Sequence, residues 1–232
     1  MKILVIEDKL VNILSAKQML AGHELTIVKS FDEAMEIMKE KIDKEKLQGL
    51  LAEAGFSEEP NSEDKKQWKA YQDARDAAWE NAIIPLPFEV VLTDMMMPMC
   101  HTNLMCELFN PKEEVPYGFV LALKAAERGA KFVAMVTDTN HHNGAMSAAL
   151  DNLSRPYYED GCKPNFTINN ARVAFLHAPM IAVQGTVCPH CAGKCNCHGK
   201  CQGKNGKCYQ CRGTKLEAGK NWGRVLKDLT QD

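Results

Sequence analysis

From Ile3 to Ile6 the chain is apolar at every position, and it then stops abruptly on Glu7 and Asp8. A strand with one wet face alternates apolar and polar residues. A strand apolar throughout suits a parallel sheet covered by helices on both sides. Similar runs recur at Leu25 to Val28, at the segment closing on Leu92-Thr93-Asp94, at Phe132 to Val136 before Thr137, and at Arg172 to His177 before Ala178-Pro179. Helical patterns separate them, so the expected class is α/β, with a five-stranded parallel sheet and helices on both faces.

The helical patterns carry their own punctuation. Ile13, Leu14, Ala16, Met19 and Leu20 form an apolar stripe ended by Gly22. Ser30 is placed to cap the next helix, with Glu33 as its capping-box partner ahead of Ala34, Met35, Ile37 and Met38. Residues 43–87 are polar, broken between Gly55 and Pro60, and read as a helical insertion whose Trp68, Tyr71, Ala74, Ala78 and Ala82 share one helix face. That stripe is expected to pack back on the parent domain.

Parallel sheets of this kind bind ligands at the carboxyl edge of the strands, where Glu7, Asp8 and Asp94 would gather. Clustered carboxylates repel one another, and a hard cation such as Mg²⁺ removes the repulsion. The run Asp94-Met95-Met96-Met97-Pro98, with the acids after the first strand, resembles the acceptor strand of response-regulator receiver domains of two-component signalling, which have a flavodoxin-like fold. The resemblance implies that Asp94 accepts a phosphoryl group beside Mg²⁺ held by Glu7, Asp8, Asp94 and the backbone carbonyl of Met96. It implies that Thr137 contacts a phosphoryl oxygen and that Phe175 is the aromatic residue that swings inward on activation. Receivers end their fifth strand in Lys-Pro. Here alignment on Pro179 puts Ala178 at the lysine position, so the lysine is missing, and His177 is the nearest group that could replace part of its charge.

A second constellation lies between the fifth strand and the closing helix Asn221 to Leu229. Seven of the ten cysteines fall between 188 and 211. Cys188-Pro189-His190-Cys191 and Cys208-Tyr209-Gln210-Cys211 are paired knuckles, each offering two thiolates to one tetrahedral zinc. Cys195, Cys197, His198 and Cys201 are candidates for a second zinc, with His190 as another fourth ligand. An iron–sulfur cluster on Cys188, Cys191 and Cys195 is the competing assignment. The glycine-rich pattern resembles the cysteine-rich zinc domain of J-protein co-chaperones, with imperfect repeats. Residues 186–215 thus read as a zinc-binding insertion in a single receiver-like domain spanning 1–232.

Other candidates are weaker. Cys100, His101 and Cys106 follow the acceptor strand, and His141 and His142 follow Thr137; solvent-facing roles compete with metal ligation at each. Eight basic residues against one acid between Lys194 and Arg224 suit phosphate contacts. Thiolate-bound zinc is itself negative, however, and absorbs part of that excess.

A net charge of −2 describes an ordinary soluble chain, and no apolar run approaches the ~20 residues that span a bilayer. With acids so close to the first residue, no signal peptide is expected, and cysteines at metal spacing suit the cytoplasm. The expected function is an atypical stand-alone receiver that takes phosphate from a histidine kinase or another phosphodonor and signals through protein contacts, with no membrane partner. Two other classes stay open: a phosphorylation-independent zinc-containing module binding protein or nucleic acid, and a metal-dependent phosphatase or hydrolase using His141, His142 or His177.

Overall fold

The computed structural model describes residues 1–100, 113–138, 166–191, 211 and 213–231. Its centre is a six-stranded sheet in the order β2-β1-β3-β4-β6-β5. Five strands are parallel: β1 (Lys2–Ile6), β2 (Glu24–Val28), β3 (Val90–Asp94), β4 (Phe132–Thr137) and β6 (Ala171–His177). These are the five runs expected from sequence.

The sixth strand corrects the expected count. β5 (Phe166–Ile168) pairs antiparallel with β6 at the sheet edge. Asn169 and Asn170, at φ 45° and 66°, make the two-residue connection. Two successive residues of positive φ form the turn whose twist matches antiparallel strands, and asparagine tolerates that backbone. Three residues are too few to show a hydrophobic period.

Both faces of the sheet are buried, as the unbroken apolar runs require. Ile3, Val5, Leu92, Val136 and Leu176 form one core with Ala16 of α1 (Leu10–Met19), with Leu20 at its C-cap and with the closing helix. The alternate residues Leu4, Val91, Val133, Met135 and Phe175 are equally buried. Helix α2 (Phe31–Met38) opens with Ser30 Oγ accepting from the Glu33 N–H at 3.4 Å. Glu33 Oε2 reaches back to accept from the Lys29 N–H at 2.7 Å, so both residues of the expected capping box engage the helix entrance.

Residues Lys39–Leu86 form a separate compact unit. It contains α3 (Lys44–Glu53), capped by Asp43, and α4 (Lys65–Ala82), capped by Asp64. Tyr71 packs edge-on to Phe56 at 5.5 Å and beside Trp68 at 5.8 Å, which gives part of the apolar stripe partners inside the unit.

Helix α5 (Tyr117–Glu127) packs on β3 and β4. Beyond β6 the chain makes a second sheet of two antiparallel strands, β7 (Met180–Ala182) and β8 (Ala218–Lys220). It then enters α6 (Trp222–Thr230), where Asn221 caps the helix through the Arg224 N–H. Trp222, Val225, Leu226 and Leu229, the apolar stripe read from sequence, are all buried. Among the described residues, no helix is long and apolar enough to cross a membrane.

Candidate functional site

β1 and β3 are neighbours at the place where the strand order reverses, so Glu7, Asp8 and Asp94 emerge together at their carboxyl ends. One oxygen from each lies within 4.8 Å of the others. Glu7 is fully buried and Asp94 is 1% exposed.

A lysine does reach these acids, from beyond the fifth parallel strand. Lys220, the last residue of β8, places Nζ 2.7 Å from Glu7 Oε2 and 2.9 Å from Asp94 Oδ1. Its side chain is completely buried and also lies over the Trp222 ring, 5.3 Å from the centroid. Alignment on Pro179 could not find it, because two strands and the cysteine segment intervene between that proline and Lys220. A lysine immediately before the Asn221 cap of the closing helix was the available signal.

The acids are not equivalent. Glu7 is engaged at both oxygens: Oε2 meets Lys220, and Oε1 accepts from the Lys9 N–H at 3.1 Å. Asp8 Oδ1 and Asp94 Oδ2 are buried without any hydrogen-bond partner. A buried carboxylate oxygen left unpaired is costly, and two of them facing one pocket fit a hard cation. Three carboxylates and one ammonium leave two formal negative charges there, which a divalent ion would neutralise. The residues present therefore suit Mg²⁺. Met96 contributes its N–H, 3.4 Å from Asp94 Oδ1.

Electrostatics follow from this crowding. Burial pushes the Glu7 carboxyl up to about 7, with Lys220 pulling against the rise and Asp94 adding to it. Burial likewise raises Asp94, opposed by Lys220 and reinforced by Asp138. Lys220 stays protonated well above the usual lysine range: burial works against its charge, but Asp94, Glu7 and Asp138 outweigh it.

A supporting layer escaped the sequence reading. Burial would raise Asp138, yet Lys220, Asn12 and Lys9 hold it below the usual carboxylate range. Lys9 Nζ donates to its Oδ1 at 2.8 Å and Asn12 Nδ2 to its Oδ2 at 2.9 Å. Asn12 Oδ1 also accepts from the Lys220 N–H at 3.0 Å, and its carbonyl accepts from Trp222 Nε1. The exposed Glu114 at the rim has its carboxyl raised, by burial and by Asp8, Asp94 and Asp138 against the pull of Lys9.

Backbone packing fixes Asp94 from the side of α5. Gly118, in the first turn of α5, lies so close that a Cβ there would strike the Asp94 carbonyl oxygen and come 2.7 Å from Met95 Cα. Its N–H donates to the Met95 carbonyl at 3.0 Å.

Thr137 is buried at the end of β4, in register with the half-buried His177 at the end of β6. Phe175 is turned into the core, 1% exposed. Cys100 is also buried. His101, Cys106, His141 and His142 lie outside the described residues.

The thiol cluster forms in part within them. Cys188, Cys191 and Cys211 are buried, with their sulfurs within 4.8 Å of one another. Cys191 Sγ is 3.7 Å from Cys211 Sγ. Zinc–sulfur bonds of ~2.3 Å in a tetrahedron put sulfurs ~3.8 Å apart, so the donor set fits such an ion. Cys208, Cys195, Cys197, His198 and Cys201 lie outside the described residues, while His190 is exposed beside Cys191.

In comparisons with family models, curated proteins and solved structures, nothing matches this chain.

Proposed function

We propose that this protein is an atypical response-regulator receiver that accepts a phosphoryl group on Asp94 with Mg²⁺ and signals through protein contacts in the cytoplasm. The observation that carries the reading is Lys220 Nζ at 2.9 Å from Asp94 Oδ1, with Oδ2 of the same carboxylate left unpaired. Lys220 neutralises and orients the carboxylate while one of its oxygens stays unpaired.

Attack by an Asp94 oxygen on the phosphorus of an acyl phosphate or a phosphohistidine forms the aspartyl phosphate. The donor's bond to phosphorus breaks, and the leaving group departs with the electron pair. When bound, Mg²⁺ supplies charge neutralisation between the carboxylates and the phosphoryl oxygens. Asp8 and Asp94 would hold it, and Glu7 would complete the set. Lys220 follows the negative charge that Asp94 acquires, and Thr137 at the neighbouring strand end contributes its hydroxyl to a phosphoryl oxygen. Catalysis of this kind is positioning and electrostatics. Zinc at Cys188, Cys191 and Cys211, with Cys208 as the fourth ligand read from sequence, has a structural role.

Lys220 beside Asp94 also favours phosphoryl acceptance over the phosphorylation-independent module. Incubation with Mg²⁺ and acetyl phosphate, followed by intact mass at neutral pH, tests the proposal. One phosphoryl adduct is expected in the wild type and none in Asp94→Asn or without Mg²⁺. Failure of a Mg²⁺-binding wild type to gain the adduct rejects it.

A further inference from the structure

Lys220 reaches the acid pocket from a strand of three residues, paired with another of three. A two-stranded pair this short is not stable alone. Near Lys220 it is tied to α1: Asn12 Oδ1 accepts from the Lys220 N–H, and Ser15 Oγ donates to the Lys220 carbonyl at 2.6 Å. Gly219 passes so close to the Val11 carbonyl and the Val183 side chain that nothing larger fits without a shift.

The other end of the hairpin runs into the thiol cluster. The Val183 N–H donates to the Glu217 carbonyl at 2.9 Å, and the Cys188 N–H to the Lys215 carbonyl at 2.9 Å. Thr186 Oγ1 bridges the two sides, donating to the Val183 carbonyl at 2.7 Å and accepting from the Glu217 N–H at 3.0 Å. On the return side the Thr214 N–H donates to the Cys211 carbonyl at 2.8 Å. Cys188 and Cys191 thus continue β7, Cys211 leads into β8, and their sulfurs meet across the open end.

We propose that a thiophilic divalent ion of the zinc class, held by Cys188, Cys191 and Cys211, clamps this hairpin and thereby controls whether Lys220 is seated between Glu7 and Asp94. The Asn221–Pro179 bond joins the base of the hairpin, but beyond it the pairing of three residues per strand must still enclose the long segment 183–217, an entropic demand that grows with loop length. With the ion in place, metal binding supplies that closure as folding free energy. The ammonium has an alternative in water, and leaving it requires compensation by well-placed partners. A loosened hairpin therefore releases Lys220, and the thiol site becomes a control point for the acceptor. The link to phosphoryl acceptance rests on the function proposed above; the seating of Lys220 does not.

The test uses the full chain loaded with Zn²⁺, with the bound zinc measured, and then treated with a zinc-selective chelator in excess Mg²⁺. Brief acetic anhydride treatment and peptide mass mapping compare Lys220 with the exposed Lys2, while amide exchange compares 180–183 and 217–221 with β1 and β3. Loaded protein should protect Lys220. Removal should raise its modification relative to Lys2 by on the order of tenfold or more, and should speed exchange in the hairpin while β1 and β3 stay protected. Cys188→Ser combined with Cys191→Ser should reproduce this state without chelator. Protein that binds no zinc overturns the proposal, as does Lys220 protection unchanged by removal, or exchange that rises equally through the parallel sheet. Loaded protein that takes no phosphoryl group rejects the receiver reading alone, because Lys220 protection is read independently.

Discussion

Lys220 Nζ sits 2.9 Å from Asp94 Oδ1 although it enters the site from outside the parallel sheet, on a strand that pairs with β7. Removing one member of a buried charge pair leaves the other uncompensated, which typically costs about 3–5 kcal/mol. Lys220→Met should therefore lower stability by an amount on that order in Mg²⁺-free buffer. Saturating Mg²⁺ should recover part of the loss by restoring positive charge beside Glu7 and Asp94. Urea unfolding with and without Mg²⁺ measures both quantities, and equal losses in the two buffers would separate Lys220 from the metal pocket.

Asp8 presents an unpaired buried oxygen, whereas Glu7 is held by Lys220 and Lys9. Asp8→Asn should weaken Mg²⁺ binding by more than the 10–100-fold typical of outer-shell partners of a metal. Metal-free stability should not fall, since one of several crowded negative charges is lost. Calorimetric titration with Mg²⁺ and parallel thermal melts provide the comparison.

At Gly118 an added methyl would meet the backbone of Asp94 and Met95, which cannot rotate away. Gly118→Ala should cost about 1–3 kcal/mol, the usual range for overpacking, and should abolish the phosphoryl adduct. Gly22→Ala is the matched control, because a Cβ there meets nothing within 4 Å. Mass spectrometry of the adduct and urea midpoints for both variants test the contrast.

Asp138 binds fewer protons in the folded state than in the unfolded one, because its carboxyl lies below the ordinary value of 3.8. Its contribution to stability is complete above that value and is lost as pH falls through the lower, folded one. Asp138→Asn should be less stable than wild type at neutral pH, with the gap narrowing on acidification below about pH 4. Denaturant midpoints between neutral pH and pH 3 give the two curves, and a constant gap would count against Lys220 and the Asn12 and Lys9 bonds as its origin.

The pocket's acids were legible in the sequence because each ends a strand whose burial on both faces writes an uninterrupted apolar run. Ile3 to Ile6 leads to Glu7 and Asp8, and Val90 to Leu92 leads to Asp94 within two residues. Lys220 was not legible, since Ala218-Gly219-Lys220 has no apolar period and is positioned by Asn12, Ser15 and β7, all distant in sequence. Asn12 was hidden for a related reason: it sits within an apolar helix stripe, and its three partners come from the chain's far half. β5 lay below the length at which a period shows, although Asn169-Asn170 between Ile168 and Ala171 was a readable hairpin signal.

Where the chain leaves the sheet after β6 and where it returns to the closing helix, its two ends touch: the Asn221 N–H donates to the Pro179 carbonyl at 2.6 Å. Everything from Met180 to Lys220 is thus a detour that departs and rejoins at one address. Because both ends of the detour are fixed there, this junction is a natural port for grafting. A foreign sensing element spliced between β7 and β8 would inherit a direct mechanical line to the Lys220 ammonium beside Asp94 while leaving the pairings of the parallel sheet in place.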